Sequence, residues 1–191
     1  HGDHIGGAKM LQERYGAKVV MGGADWDLVE TYPNRYTSMA PKRDIVATDG
    51  MKITLGDTTV TLWETPGHTP GTLSYTFRAF DQDRPVNVAY SGGTAFNFVN
   101  NTPDPGIKNF QTYIESQQHI AKQAAATAAT VVLSNHSEFD NAVKRNRMLA
   151  GRGDGAHPYE LGEEWVQRYF RVMQGCARAA QLRLEKELAS E

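Results

Sequence analysis

A mixed α/β (α+β) domain follows from three features of these 191 residues. Apolar residues recur at helical spacing near the start and again over much of the second half, the period between them switches to two, and turn residues mark the changeovers. With 40% of its residues hydrophobic, the chain has material for one ordinary domain, 1–191, with a sizeable core. Its formal net charge of -2, from 20 basic and 22 acidic residues interspersed along the chain, leaves no electrostatic footprint for nucleic acid or an anionic membrane. The expected ligand is therefore a small molecule. A single cysteine, Cys176, excludes an internal disulfide framework and leaves the redox compartment open. No apolar run approaches the roughly 18 residues of a membrane span, so the expectation is a soluble chain.

Gly6 to Gly16 reads as a helix on the spacing of Met10, Leu11 and Tyr15, with Gly16 as its C-cap. Ala17 to Met21 is a short strand, Ala24 to Glu30 a brief helix carrying Trp26, and Thr31 to Asp44, with Pro33 and Pro41, a surface loop whose Tyr32, Tyr36 and Met39 serve as anchors or line a groove. From Ile45 the apolar residues alternate. Ile45–Ala47, Met51–Leu55 and Thr59–Trp63 form an antiparallel sheet, with Gly56-Asp57 as a hairpin turn. Leu73–Phe77 and Val86–Tyr90 continue it around a polar turn at Asp81 to Arg84.

Phe110, Tyr113, Ile114, Gln117, Ile120, Ala121 and Ala124 keep a three-to-four spacing that predicts a long amphipathic helix, with His119 off the stripe and facing solvent. Thr130 to Leu133 is a buried strand ending at Ser134-Asn135-His136-Ser137, and a helix follows over Glu138 to Leu149. A final long helix carries Trp165, Tyr169, Val172, Cys176 and Ala180 on one stripe, with Val166, Phe170 and Met173 beside it. On that reading Cys176 is a buried small hydrophobe, and His157 before the helix is a loop or capping residue, with a place in the substrate pocket as the alternative.

The chemistry concentrates at the first residues. His1-Gly2-Asp3-His4-Ile5-Gly6-Gly7 puts two imidazoles and a carboxylate within four positions, the donor types zinc takes at about 2.0–2.2 Å. As an alternative, Asp3 could serve only as the N-cap of the helix that follows. Further on, Pro66-Gly67-His68-Thr69-Pro70-Gly71 brackets one histidine between turns at the rim of the sheet, and His136 lies just beyond a β-branched strand. His68 alone reads as a turn residue.

Together these strings resemble the metallo-β-lactamase superfamily. The first is similar to the end of its H-x-H-x-D-H-x-G-G signature, the P-G-H-T-P-G string to its next ligand motif, and His136 is placed like its last ligand. The resemblance spans nearly the whole chain, although its specificity lies in these short strings. It implies a metallo-β-lactamase-like αββα sandwich with a two-zinc site at one edge, of which this chain is the C-terminal portion. In the family another histidine precedes His1 by two positions and a first sheet precedes that, so the chain is expected to be N-terminally truncated. In superfamily thioesterases and lactonases the string matching Tyr90-Ser91-Gly92-Gly93-Thr94-Ala95-Phe96 resembles aromatic-T-G-D-T-x-F, whose aspartate bridges the zincs, and here that place is Gly93. Glycine brings no ligand, and the remaining set resembles the third subclass of metallo-β-lactamases. A Gly92-Gly93 pair also suits a tight strand-to-loop turn.

Carried over residue by residue, the resemblance assigns His1, His68 and the preceding histidine to the first zinc, and Asp3, His4 and His136 to the second. It implies a zinc-dependent hydrolase in which metal-bound hydroxide, oriented by Asp3, opens a cyclic amide, foremost a β-lactam. Lactones, thioesters and other amides are the alternatives, as is an inactive metal-binding fragment completed by an N-terminal segment or another chain. As it stands the chain is expected to bind one metal firmly, through Asp3, His4 and His136. The β-lactam reading would imply a periplasmic or secreted protein, and the sequence otherwise leaves the location open.

Overall fold

The computed structural model describes residues 1–32, 39–96 and 107–190. Its largest element is a five-stranded sheet built from β3 (Lys52–Leu55), β4 (Thr58–Glu64), β5 (Leu73–Asp81), β6 (Arg84–Ser91) and β7 (Val131–Ser134), in that spatial order. Every pairing is antiparallel except the last, where β7 runs parallel to β6 with Ser134 opposite Ser91. The β3–β4 turn is made at Gly56 with φ 61°, which the missing Cβ permits. Both later strands of the meander run longer than their alternation suggested, meeting at a turn where Asp81 opposes Arg84.

Two long helices, α4 (Ile107–Ala126) and α7 (Glu163–Leu188), cover one face of this sheet. Ala89 and Val132 project from it against Ile120 and Ala124 of α4 and Val166 and Phe170 of α7, all buried. The other face is apolar too, with Val60, Phe77, Val88 and Val131 aligned across neighbouring strands. Tyr159 and Ala142 pack over part of it. A sheet apolar on both sides is an inner layer, since a one-sided sheet would alternate with polar residues.

The first residues form a smaller unit: α1 (Gly2–Ile5), α2 (Ala8–Tyr15), β1 (Val20–Gly22), α3 (Gly23–Thr31) and β2 (Ile45–Ala47). The expected helix from Gly6 thus begins earlier and is broken before Ala8, while Gly16 does cap it in the left-handed region at φ 64°. Trp26, fully buried, anchors α3 by donating its indole N–H to the carbonyl of Ile45. The described residues thus form a mixed α+β arrangement, a two-stranded and a five-stranded sheet with helices around them.

Several expectations need correction. Ile45–Ala47 does not extend the antiparallel sheet but pairs parallel with β1, so a three-residue strand found a non-local partner that alternation cannot name. Met10, Leu11 and Tyr15 are on one side of α2 but exposed, Met10 by 50%. On α7 the buried stripe is Val166, Phe170, Met173, Ala177 and Gln181, one position round from the expected one, leaving Trp165 54% exposed and Cys176 exposed. His119 is half-buried: its Nε2 pairs with Asp49 at 2.9 Å and its ring meets Trp63 edge-on. The helix expected over 138–149 is two, α5 (Ser137–Asp140) and α6 (Ala142–Ala150), split where Asn141 takes φ 58°. Tyr32 is exposed, Met39 lies against Gly2, and Tyr36 falls outside the described residues. No helix among the described residues is long and apolar enough to cross a membrane.

Candidate metal centre

Four separate stretches converge at one end of the sheet. The parallel pairing of β6 and β7 sets Gly92-Gly93-Thr94 beside Asn135-His136, the turn after β4 brings His68 to the same edge, and α1 presents His1, Asp3 and His4 across from them. A ligand atom from each of Asp3, His4 and His136 lies within 4.8 Å of the others, close enough for one cation to draw all three in. The His4 and His136 rings meet edge-on with centroids 4.9 Å apart, and Asp3 Oδ2 is 3.5 Å from His4 Nε2. His1 and His68 form a second pair, Nδ1 to Nε2 at 3.0 Å, and His4 links the two groups at a ring separation of 6.5 Å from His68.

The tautomer of His68 is fixed by its surroundings. Its Nδ1–H donates to the carbonyl of Ala95 at 2.5 Å, which leaves the Nε2 lone pair facing His1, whose Nδ1–H then donates to it. A histidine whose outer nitrogen donates to a backbone carbonyl while the inner one points into a cluster of donors has the arrangement of a metal ligand. Burial lowers the His68 pKa from its ordinary value, against the Ala95 bond that raises it, and the neighbouring His4 and His136 lower it further. His4 is lowered by burial as well, opposed by the Asp3 carboxylate. Neutral imidazoles beside a carboxylate make a donor set that suits zinc.

The supports for these side chains were not legible as motifs. Thr94, fully buried, donates its hydroxyl to Asn135 Oδ1 at 2.5 Å, which turns the Asn135 amide nitrogen toward His4 Nε2 at 3.5 Å. Asp140, also buried, accepts from the backbone N–H of Ser134 and of Ala142, both at 2.9 Å, and so clamps the turn that carries His136. Ser116 of α4 donates to the carbonyl of Pro66 at 2.6 Å. At Gly93 a Cβ would lie 3.1 Å from Thr72 Cγ2 and 3.2 Å from His68 Cβ, so a side chain there would push these neighbours by a few tenths of an ångström, and glycine itself brings no carboxylate. Asn135 adjoins a predicted ligand in sequence and could have been found that way. Thr94, Asp140 and Ser116 gave no such sign.

His157 lies elsewhere, its Nδ1 accepting from the backbone N–H of Tyr159. It belongs to a charged cleft of about 530 Å³ where Arg84 bridges Glu160 and Asp81 and where Arg152 donates to Asp81 at 2.6 Å. Beside His1, His4 and His68 opens a cavity of about 330 Å³ whose walls include Ile5, Val20, Leu28 and Leu73.

Known proteins resemble this chain in sequence and in fold. The family model described as the metallo-beta-lactamase superfamily matches residues 1–79. A hydroxyacylglutathione hydrolase from Rhodopseudomonas palustris (strain BisA53) is 31% identical over 199 residues, covering 97% of this chain and 71% of the relative. Another from Acidiphilium cryptum (strain JF-5) is 35% identical over 206 residues, with coverages of 98% and 74%. Among solved structures, BJP-1, a subclass B3 metallo-beta-lactamase of Bradyrhizobium japonicum, superposes with a TM-score of 0.73 at 24% identity over 96% of this chain and 70% of that one. The FEZ-1 metallo-beta-lactamase from Legionella gormanii does so at 0.73 and 18% identity, over 95% and 71%. With the family model over residues 1–79, the shared fold and identities of 31% and 35% over 71% and 74% of the two relatives, the chain belongs to the metallo-β-lactamase superfamily of hydrolases.

Proposed function

We propose that this protein is a zinc-dependent hydrolase that opens a cyclic amide, with a β-lactam as the leading substrate. The supporting observation is Gly93: the position is packed against Thr72 and His68, while Asp3, His4 and His136 already converge without a carboxylate from that side. On this reading Asp3, His4 and His136 hold one zinc, and His1 and His68 hold a second whose remaining donor comes from a preceding segment or another chain. Zinc bound there supplies Lewis acidity and brings the pKa of water toward 7.

The chain's own groups do the rest. His68, with its Nδ1–H committed to Ala95, offers only a lone pair inward. Asp3, its side chain 62% exposed, stands at the mouth where it can orient the attacking water. The Asn135 amide, its oxygen occupied by Thr94, directs N–H groups at the same opening, where they can donate to a carbonyl oxygen or a departing anion.

A second reading takes an acylated glutathione as substrate, favoured by the names of relatives at 31% and 35% identity. Both readings meet one experiment, in which the zinc-loaded protein is offered a chromogenic β-lactam and an S-acylglutathione side by side. Turnover of the first, lost on chelation and reduced about 10²–10⁴-fold by Asp3→Asn, supports the leading proposal, and selective turnover of the second replaces it. If two zincs are bound and neither compound is cut, both readings fail.

A further inference from the structure

We propose that Asp25 is a positioning residue for His68, a clamp that sets the inner nitrogen of that imidazole toward His1 from the far side of the turn. Asp25 occupies the first turn of α3, where an acidic side chain ordinarily folds back to cap its own helix or simply complements the helix dipole. Here it makes no cap. Its carboxylate reaches across to the Thr69-to-Gly71 segment instead, accepting the Thr69 hydroxyl on one oxygen at 2.6 Å and the Gly71 backbone N–H on the other at 2.9 Å.

The contact is close because the two backbones allow nothing between them. A Cβ on Gly71 would lie 2.5 Å from the Asp25 nitrogen and 2.7 Å from its Cβ, and a Cβ on Gly22 would run into the Gly71 carbonyl. Thr69 is further tied to Thr72, whose hydroxyl accepts its backbone N–H at 2.8 Å, and Gly67 N–H donates to the Thr69 carbonyl at 3.0 Å. His68 sits inside this knot. Ser116 holds the turn at Pro66 from the α4 side, and Asp25 holds it at Thr69 and Gly71 from the α3 side. Because Trp26 anchors α3 to β2, the Asp25 bridge transmits the placement of the small β1–α3–β2 unit to the turn on the large sheet. That unit also carries part of the cavity beside His1, His4 and His68, so whatever shifts α3 shifts His68.

This inference rests on the metal reading of His68, and its test separates the two. In ¹⁵N-histidine NMR of the metal-free protein, His68 is expected as a single Nδ1–H tautomer. Asp25→Ala is expected to give a tautomer mixture, and in chelator-competition titrations to weaken zinc at the His1–His68 pair roughly ten- to a hundred-fold while the affinity of the Asp3–His4–His136 cluster stays unchanged. Thr69→Val, which removes the hydroxyl donated to Asp25 together with its 2.8 Å contact to Thr72 Oγ1, is expected to move both readouts in the same direction, and Thr69→Ser to restore them. Should Asp25→Ala fail to fold, Thr69→Val carries the decision. A folded variant that keeps the single tautomer, or that weakens both metal groups equally, overturns the clamp. Loss of zinc binding by the unaltered protein would refute the metal reading while leaving the tautomer result to judge Asp25.

Discussion

A methyl group at Gly93 would press on Thr72 Cγ2 from 3.1 Å and on the Cβ of His68 from 3.2 Å, and the backbone there is already used, its carbonyl accepting from the Gln117 amide. Gly93→Ala is therefore expected to cost about 1–3 kcal/mol, read from denaturant unfolding, and to disturb His68 before any other donor. Gly93→Asp carries the same crowded Cβ and a carboxyl beyond it, and is expected to cost at least as much. At this scale the sequence was generous with candidate ligands and silent about their supports. His1, Asp3, His4, His68 and His136 announce themselves as residue types in short strings. Asp140 and Thr94 do not, since a buried hydrogen bond to a residue distant along the chain has no periodicity and no composition.

The long C-terminal helix shows what an element's pattern can and cannot say. Two apolar stripes run along α7, Trp165–Val172–Cys176 and Val166–Phe170–Met173–Ala177, and only packing decides which faces inward. Phe170→Ala is expected to cost about 3–5 kcal/mol, whereas Cys176→Ser should fall within about 0.5 kcal/mol of the unaltered protein. Thermal or denaturant unfolding of the pair checks the assignment, since spacing alone read both stripes, Cys176 included, as buried.

The β5–β6 turn makes a separate prediction for acid. The guanidinium of Arg152 donating to Asp81, with that of Arg84 behind it, holds the Asp81 carboxyl below the usual carboxylate range. Such a group adds stability above the unfolded carboxylate value and loses it as pH falls through the depressed native one. Arg152→Ala is then expected to be less stable than the unaltered protein at neutral pH and to converge on it in acid, followed by circular dichroism across pH. Convergence at neutral pH instead would mean the pair carries no stability.

For the molecule as a whole, the layers were legible because each has its own period, while the association of β1 with β2 and the apolar second face of the main sheet emerged only from register. The same register has a consequence in time. The strand that delivers His136 is parallel to β6 and follows it only after the long connection containing α4, so Gly93 and His136 become neighbours when one of the chain's more distant pairings closes. Closing such a loop is slow. The three candidate donors that α1 and the end of β7 bring together, Asp3, His4 and His136, are thus not assembled in early folding species, and a cation that needs all three can be captured only by a chain that is nearly native. Zinc at a hundred times its dissociation constant should therefore slow unfolding roughly a hundred-fold and leave the refolding rate unchanged. Stopped-flow traces with and without the ion would show this as a shift in a single arm of the chevron, which makes the metal a brake on opening rather than a guide to assembly.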